Sequence, residues 1–102
     1  MDVAEIRKTE ALEGLELKLK TVYERVVTSR ERLQSTESIV RLADKGYSVA
    51  YRSFQVGQSS LIELRNAELE LNRARTAHNA TLFAYHSALI ELKVLMGENR
   101  FE

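Results

Sequence analysis

The stretch that decides the fold lies at residues 54–64, which read FQVGQSSLIEL. Gly57 can adopt a positive φ, which favours a turn, and the serines after it can cap a following helix. Ser60 lies three residues before Glu63, which is the spacing of a capping box. The predicted elements are therefore a first helix over about residues 3–55, a tip at 56–59 and a second helix over about residues 60–96, ended by Gly97 and a polar terminus.

The composition leaves few other folds open. The 102 residues include no Pro and no Cys, and 15 basic residues balance 15 acidic ones, so the formal net charge is zero. Without Pro nothing breaks a long helix, and without Cys there is neither a disulfide nor a Cys-based zinc site. Zero net charge argues against a nucleic-acid-binding module, which normally carries a basic excess. No apolar run reaches the ~18 residues that span a bilayer.

Apolar residues recur at alternating spacings of three and four on both sides of the turn. Before the turn the pattern occupies Leu12, Leu15, Leu19, Val22, Val26, Ser29, Leu33, Thr36, Val40, Ala43, Tyr47, Ala50 and Phe54. After the turn it occupies Leu64, Ala67, Leu71, Ala74, His78, Thr81, Tyr85, Ala88, Leu92 and Leu95. A sustained pattern of this kind indicates two coiled-coil helices, and we call the line of these residues the seam.

Folding the chain back at Gly57 places opposite each other the seam residues whose numbers sum to 114. Large residues then meet small ones in most layers, as Leu71 meets Ala43, which suits packing at a constant interhelical distance. The polar exceptions coincide, because Thr36 meets His78. The sequence therefore predicts an all-α fold, a single long antiparallel coiled-coil hairpin over residues 1–102.

The second helix carries another apolar line, on the side opposite the seam. Four large side chains at multiples of seven residues define what we call the assembly face, namely Ile62, Leu69, Phe83 and Ile90. Leu61, Leu82, Leu89 and Met96 widen it, and the first helix has its own apolar residues off the seam at Tyr23, Val27, Ile39, Leu42 and Val49. Because a two-helix hairpin buries one stripe per helix, the assembly face needs another surface. We expect the chain to self-associate through it.

Residues that could carry catalysis are sparse. The two histidines, His78 and His86, have no Asp or Glu three or four positions away that would complete a metal site. His78 falls in the seam and is interpreted as a core histidine, and the tyrosines Tyr23, Tyr47, Tyr51 and Tyr85 are interpreted as packing residues. An HExxH motif, a Gly-rich phosphate loop and a nucleophile elbow are missing from the sequence. We expect no catalytic residues, no metal and no cofactor, and hence no enzyme.

Residues 42–64, LADKGYSVAYRSFQVGQSSLIEL, and their continuation at 65–75, RNAELELNRAR, resemble the TolC-like family of outer-membrane efflux channels. In that family a long helix ends in an aromatic residue, followed by Val or Ala, a Gly, a few small or polar residues, and a return helix that begins Leu-x-Asp/Glu-Leu. The return helix typically carries a late Tyr and a Leu-Met-Gly stop, which Tyr85 and Leu95–Gly97 match. The resemblance covers about residues 11–98.

The resemblance implies a periplasmic location, in the outer-membrane channel of a Gram-negative envelope. The chain would be the C-terminal helical hairpin of a subunit, and three subunits would build a periplasmic tunnel. The sequence would then be a fragment of that larger periplasmic α-barrel, starting after the native start of its parent. Its partners would be the other subunits of a homotrimer, a periplasmic adaptor (membrane fusion) protein and, indirectly, an inner-membrane pump. It would meet the membrane only through a part of the parent missing from this sequence.

Two groups of site residues follow from the resemblance. The adaptor-docking tip would consist of Val56, Gly57, Gln58 and Ser59. The pore entrance would be ringed by Glu63 and Asn66, and three copies of Glu63 would attract cations. The residues alone also allow Glu63 to be the capping-box partner of Ser60, and the two roles are compatible.

Three residues depart from the pattern of some relatives. Phe54 stands where those relatives have a tyrosine, and Ser59 stands where they have an arginine. A closed entrance tied by that hydroxyl and that charge cannot form here in the same way. Asn66 also replaces an acid, which weakens the predicted carboxylate ring.

Two other classes of protein share a helical hairpin of about this length. A stand-alone secreted interaction protein, similar to the WXG dimers, would need a Trp-x-Gly turn, and this chain has no Trp. A periplasmic adaptor's own hairpin would be flanked by lipoyl half-motifs, which the sequence lacks. The channel hairpin is therefore the preferred interpretation, and these residues do not select its exported substrate.

Overall fold

A computed structural model describes residues 2–100 of the chain, and the side chains of residues 2–97. Two helices make up the fold, α1 at Val3–Gln55 and α2 at Leu61–Arg100, and no strand occurs among the described residues. The predicted all-α helical hairpin is confirmed. The bounds of α1 agree with the prediction, whereas α2 ends later than predicted.

The α2 helix continues past Gly97, so the predicted stop at this residue is wrong. Within the described part of the chain Gly57 alone has a positive φ, so Gly97 does not adopt the left-handed conformation of a C-terminal cap. A helical glycine costs only about 1 kcal/mol relative to alanine, and the turns on either side of it continue the helix. The predicted polar terminus extends to residues 101–102, which lie outside the described residues.

Both helices are long because their sequences contain no breaker and their ends are capped. They comprise 53 and 40 residues. At the start of α1 the Asp2 carboxylate accepts a hydrogen bond from the Ala4 N–H at 3.1 Å. Glu5 and Glu63 lie in the first turns and Arg52 in the last turn of α1, where their charges complement the helix dipoles. Over the described residues, neither helix has an apolar stretch long enough to cross a membrane.

The contacts within the hairpin define two compact units. One unit comprises the residues up to Arg30 together with those from Ala84 onward, and the other is Glu31–Phe83. In the first unit the buried side chains are Val22, Val26, Ser29, Ala88 and Leu95. In the Glu31–Phe83 unit they are Leu71 and Ala74. All of these are seam residues, so the heptad pattern selects the core of each unit.

The seam extends almost as far as the sequence predicts. Every predicted seam position within residues 15–50 and within residues 64–95 is buried or half-buried. At its ends Leu12 and Phe54 are exposed, which contradicts the prediction. Phe54 lacks cover because the register places it level with Ser60, before the first residue of α2.

The four tyrosines predicted to pack divide into two pairs. Tyr47 and Tyr85 occupy seam positions and are half-buried. Tyr23 and Tyr51 are exposed, because each lies four residues after a seam position, on the flank of α1. Tyr51 instead stacks on Tyr47, with ring centroids 6.3 Å apart. The prediction is therefore wrong for Tyr23, whereas Tyr51 packs on Tyr47 beside the seam.

A polar layer interrupts the seam in the Glu31–Phe83 unit. Thr36 Oγ1 lies 3.0 Å from His78 Nδ1, which confirms the predicted pair and its register. When the Thr36 hydroxyl donates its single proton to the Leu33 carbonyl at 3.0 Å, the pair is completed by the His78 tautomer that carries its proton on Nδ1. His78 is thus a hydrogen-bonded seam residue.

Ion pairs join the two helices beside the seam in both units. Arg25 pairs with Glu91 in the first unit, and in the Glu31–Phe83 unit Arg75 Nη2 lies 4.0 Å from Asp44 Oδ1. All four side chains are exposed, so each pair contributes about 1 kcal/mol or less. Apolar packing along the seam is therefore the main source of stability.

Candidate functional site

The end of α1 is closed by a Schellman motif centred on Gly57. The Gln58 N–H donates to the Ser53 carbonyl at 2.8 Å, and the Gly57 N–H donates to the Phe54 carbonyl at 3.1 Å. These are the two hydrogen bonds that define the motif, and they require a left-handed residue between them. Gly57 supplies it with a φ of 75°. The predicted positive φ is confirmed.

Ser60 begins the return helix. Its Oγ accepts a hydrogen bond from the Glu63 N–H at 3.2 Å, as predicted for an N-cap residue. The reciprocal bond of a full capping box, from the Ser60 N–H to the Glu63 carboxylate, does not occur among the described residues. The Glu63 carboxylate is therefore not engaged in capping.

Three of the four residues predicted for adaptor docking are exposed. Val56 is 69% exposed, and Gly57 and Gln58 are also open to solvent. Ser59 differs, because it is half-buried and its Oγ has no hydrogen-bond partner in the described part of the chain. The tip thus offers an apolar side chain beside bare glycine backbone, which is a shape that another protein can contact closely.

The two residues predicted for the pore entrance lie in the first two turns of α2. Glu63 and Asn66 are both exposed and are separated by three positions, so they share one side of the helix. Further along α2, the Glu70 carboxylate pairs with Arg73 at 3.2 Å. The Glu63 carboxylate has no ion-pair partner among the described residues. It is available for a long-range electrostatic role.

The assembly face is uncovered in this chain. In the Glu31–Phe83 unit, Ile62 is 71% exposed, Phe83 is 74% exposed, and Leu69 is also exposed. Ile90, in the other unit, is exposed as well. Of the residues that widen the face, Leu61, Leu82 and Met96 are exposed and Leu89 is half-buried.

A second apolar line, on α1, reaches the tip itself. Leu42, Val49 and Val56 are spaced by seven residues, lie in the Glu31–Phe83 unit and are all exposed. Leu42 and Val49 are recognised in the sequence as off-seam residues, but their alignment with Val56 was missed. The signal was present, since seven-residue spacing places side chains on one side of a helix. The docking tip is therefore the end of a longer apolar strip.

The described residues contain no group of three His, Asp or Glu side chains that could hold a metal ion. His78 is committed to Thr36, and His86 is exposed. A shallow open groove beside His78 is lined by Glu37, Val40 and Arg41. Its mixed charges and its openness mark it as an exposed gap beside the seam.

Comparison with known proteins does not assign this hairpin to a family. No model of a protein family matches the chain, and comparisons with curated proteins and with solved structures likewise give no significant match.

Proposed function

We propose that this chain is the periplasmic helical hairpin of a TolC-like outer-membrane efflux channel. In this role it forms part of the tunnel wall of a homotrimer, and its tip docks with a periplasmic adaptor protein. Transport through such a channel needs no catalysis by the hairpin, because an inner-membrane pump supplies the driving force. The proposal also makes Glu63 and Asn66 part of the tunnel entrance.

The observation that carries the proposal is the tip. The stretch with the family-like pattern coincides with a five-residue turn between two long helices. Within it Val56 is exposed beside the left-handed Gly57, and no apolar neighbour covers either residue. A valine side chain is restricted at χ1, so Val56 has little side-chain entropy to lose on binding.

The exposed surface of the chain supports a role within an assembly. The chain exposes 8221 Å². A folded monomer of 11.7 kDa exposes about 5,900 Å², so the excess is about 2,300 Å². That excess is nearly three times the ~800 Å² that one partner buries in a standard protein–protein interface. The assembly face and the α1 line supply apolar residues for such contacts.

Replacing Val56 by aspartate in the full-length parent is expected to abolish export. The new carboxylate would lose its water in the docking contact without gaining a partner, which costs several kcal/mol and weakens docking by about 100-fold or more. The hairpin itself should fold, because Val56 lies outside both helices and is exposed. Export of a channel substrate from complemented cells, with subunit abundance measured by immunoblot, provides the test.

The matched control for this variant is Ser48→Asp. Ser48 is also exposed, and it lies within α1 away from the tip, so the same charge is added without touching the docking surface. We expect Ser48→Asp to export normally. Normal export by Val56→Asp, at normal subunit abundance, would show that the tip is not the docking site.

Fractionation of the source cells tests the class of protein directly. An antibody against this chain should detect a band several times heavier than 11.7 kDa in the outer-membrane fraction, migrating as an oligomer when unheated. A band at about the mass of this chain in the soluble or secreted fraction would contradict the channel proposal. It would favour the stand-alone secreted hairpin instead.

A further inference from the structure

The seam is symmetric about Gly57, and this symmetry allows the same contacts to form between two copies of the chain. Facing seam residues have numbers that sum to 114, and the Thr36–His78 contact at 3.0 Å is one such pair. If residues 56–60 continued as helix, Thr36 of one copy would meet His78 of a second, antiparallel copy in the same layer. The facing seam pairs, whose numbers sum to 114, can therefore form either within a closed hairpin or between the chains of a helix-exchanged dimer.

The choice between the two forms must then lie in the tip. The turn is held by backbone hydrogen bonds, from Gly57 to Phe54 and from Gln58 to Ser53, and by the Ser60 cap. Apart from the Ser60 hydroxyl, side chains add little, because Val56 and Gln58 are exposed. The unpartnered Ser59 hydroxyl even counts against the closed form, since in a continuous helix it could bond to a carbonyl one turn earlier.

We propose that the seam is also an interface for a second copy of this chain, and that the left-handed Gly57 keeps it closed within one chain. A Cβ built on Gly57 meets no atom within 4 Å, so the φ of 75° is the obstacle to a side chain there. Exchange of a helix between identical chains through an opened hinge is an established route to dimers. The inference is independent of the proposed channel function.

Gly57→Ala should convert the hairpin into the exchanged dimer. Alanine disfavours the left-handed turn and favours a continuous helix, and a dimer contains two such tips. The dimerisation constant should therefore rise on the order of 10³-fold. Gly57→Asn is the matched variant at the same position, because asparagine tolerates the left-handed conformation and should leave the hairpin closed.

A disulfide can record which chain supplies the seam partner. The chain has no Cys, so Val40→Cys with Ala74→Cys introduces one pair, at two shielded seam positions whose numbers sum to 114. Oxidation at ~100 µM protein, where a raised dimerisation constant shows by mass action, is followed by a non-reducing gel. The parent and Gly57→Asn should give an internal disulfide at 11.7 kDa, and Gly57→Ala a covalent dimer of twice that mass.

The readout is unaffected by association through the assembly face, because only seam partners are cross-linked. Gly46→Ala serves as a second control, because Gly46 lies inside α1 with open space around it. We expect the disulfide in this variant to remain internal. A purely internal disulfide in Gly57→Ala would overturn the proposal. Equal dimer fractions in Gly57→Ala and Gly46→Ala would also overturn it. So would the absence in Gly57→Ala of both the internal and the interchain disulfide, because the seam must form in either topology.

Discussion

Truncation of Leu71 to alanine is expected to lower the free energy of unfolding by about 3 kcal/mol, within the range for buried leucines. Leu71 is only 5% exposed and lies in the Glu31–Phe83 unit, level with the small residue Ala43. Because its partner is already small, the neighbours cannot close the space that a second alanine would leave. Urea denaturation followed by helical circular dichroism measures the change.

Leu69→Ala is the matched control, two residues earlier on the same helix. Leu69 is 48% exposed and belongs to the assembly face, so at protein concentrations too low for self-association its truncation should change the stability by less than about 0.5 kcal/mol. The same chemical change at the two positions thus separates the seam from the outer face. Equal losses at Leu71 and Leu69 would show that the seam does not bury what the register assigns to it.

The sequence predicts the hairpin well because coiled-coil packing is periodic. Each seam position calls for a side chain that packs against the other helix, so single polar residues such as Ser29 and His78 do not hide the pattern. The register follows from one further choice, the position of the turn, and the Thr36–His78 contact confirms it. Errors occur at the ends of the seam, as at Phe54, which is 39% exposed and lies level with Ser60, before the first residue of α2.

Glycine positions show what periodicity cannot decide. Gly46, Gly57 and Gly97 all follow helical sequence, yet among the described residues only Gly57 has a positive φ. What distinguishes Gly57 is the run Gln58–Ser60 after it, which favours a turn and a new cap. Gly97 is followed by residues that tolerate helix, so the sequence around it does not enforce the predicted stop.

The candidate site is only partly accessible to sequence reasoning. The turn geometry at Gly57 and the Ser60 cap follow from local residue chemistry and are confirmed. The exposed strip that ends at Val56 requires knowing that α1 has no cover on that side. Partner binding at the tip and the entrance role of Glu63 depend on other chains, and they remain predictions that rest on the resemblance.

Replacing Thr36 and replacing His78 should have very different effects on the free energy of unfolding. Thr36→Val removes the acceptor for the His78 Nδ1–H and leaves that donor unpaired in a half-buried site, which should cost about 1–2 kcal/mol. His78→Leu has the opposite character. The Thr36 hydroxyl keeps its bond to the Leu33 carbonyl, so nothing is orphaned, and the leucine adds apolar contact. We expect this variant to be as stable as the parent or more stable.

The double variant Thr36→Val with His78→Leu decides whether the layer acts as a coupled pair. With both polar groups gone, the loss seen in Thr36→Val should disappear, because valine then packs on leucine across the seam. The cycle should give a coupling free energy of about 1 kcal/mol or more, measured by urea denaturation of all four proteins. Additive losses would mean that water satisfies His78 through the open groove beside Glu37 and Arg41. A double variant more stable than the parent would mean that this polar layer is retained at a cost in stability, as polar residues that fix the register of coiled coils are.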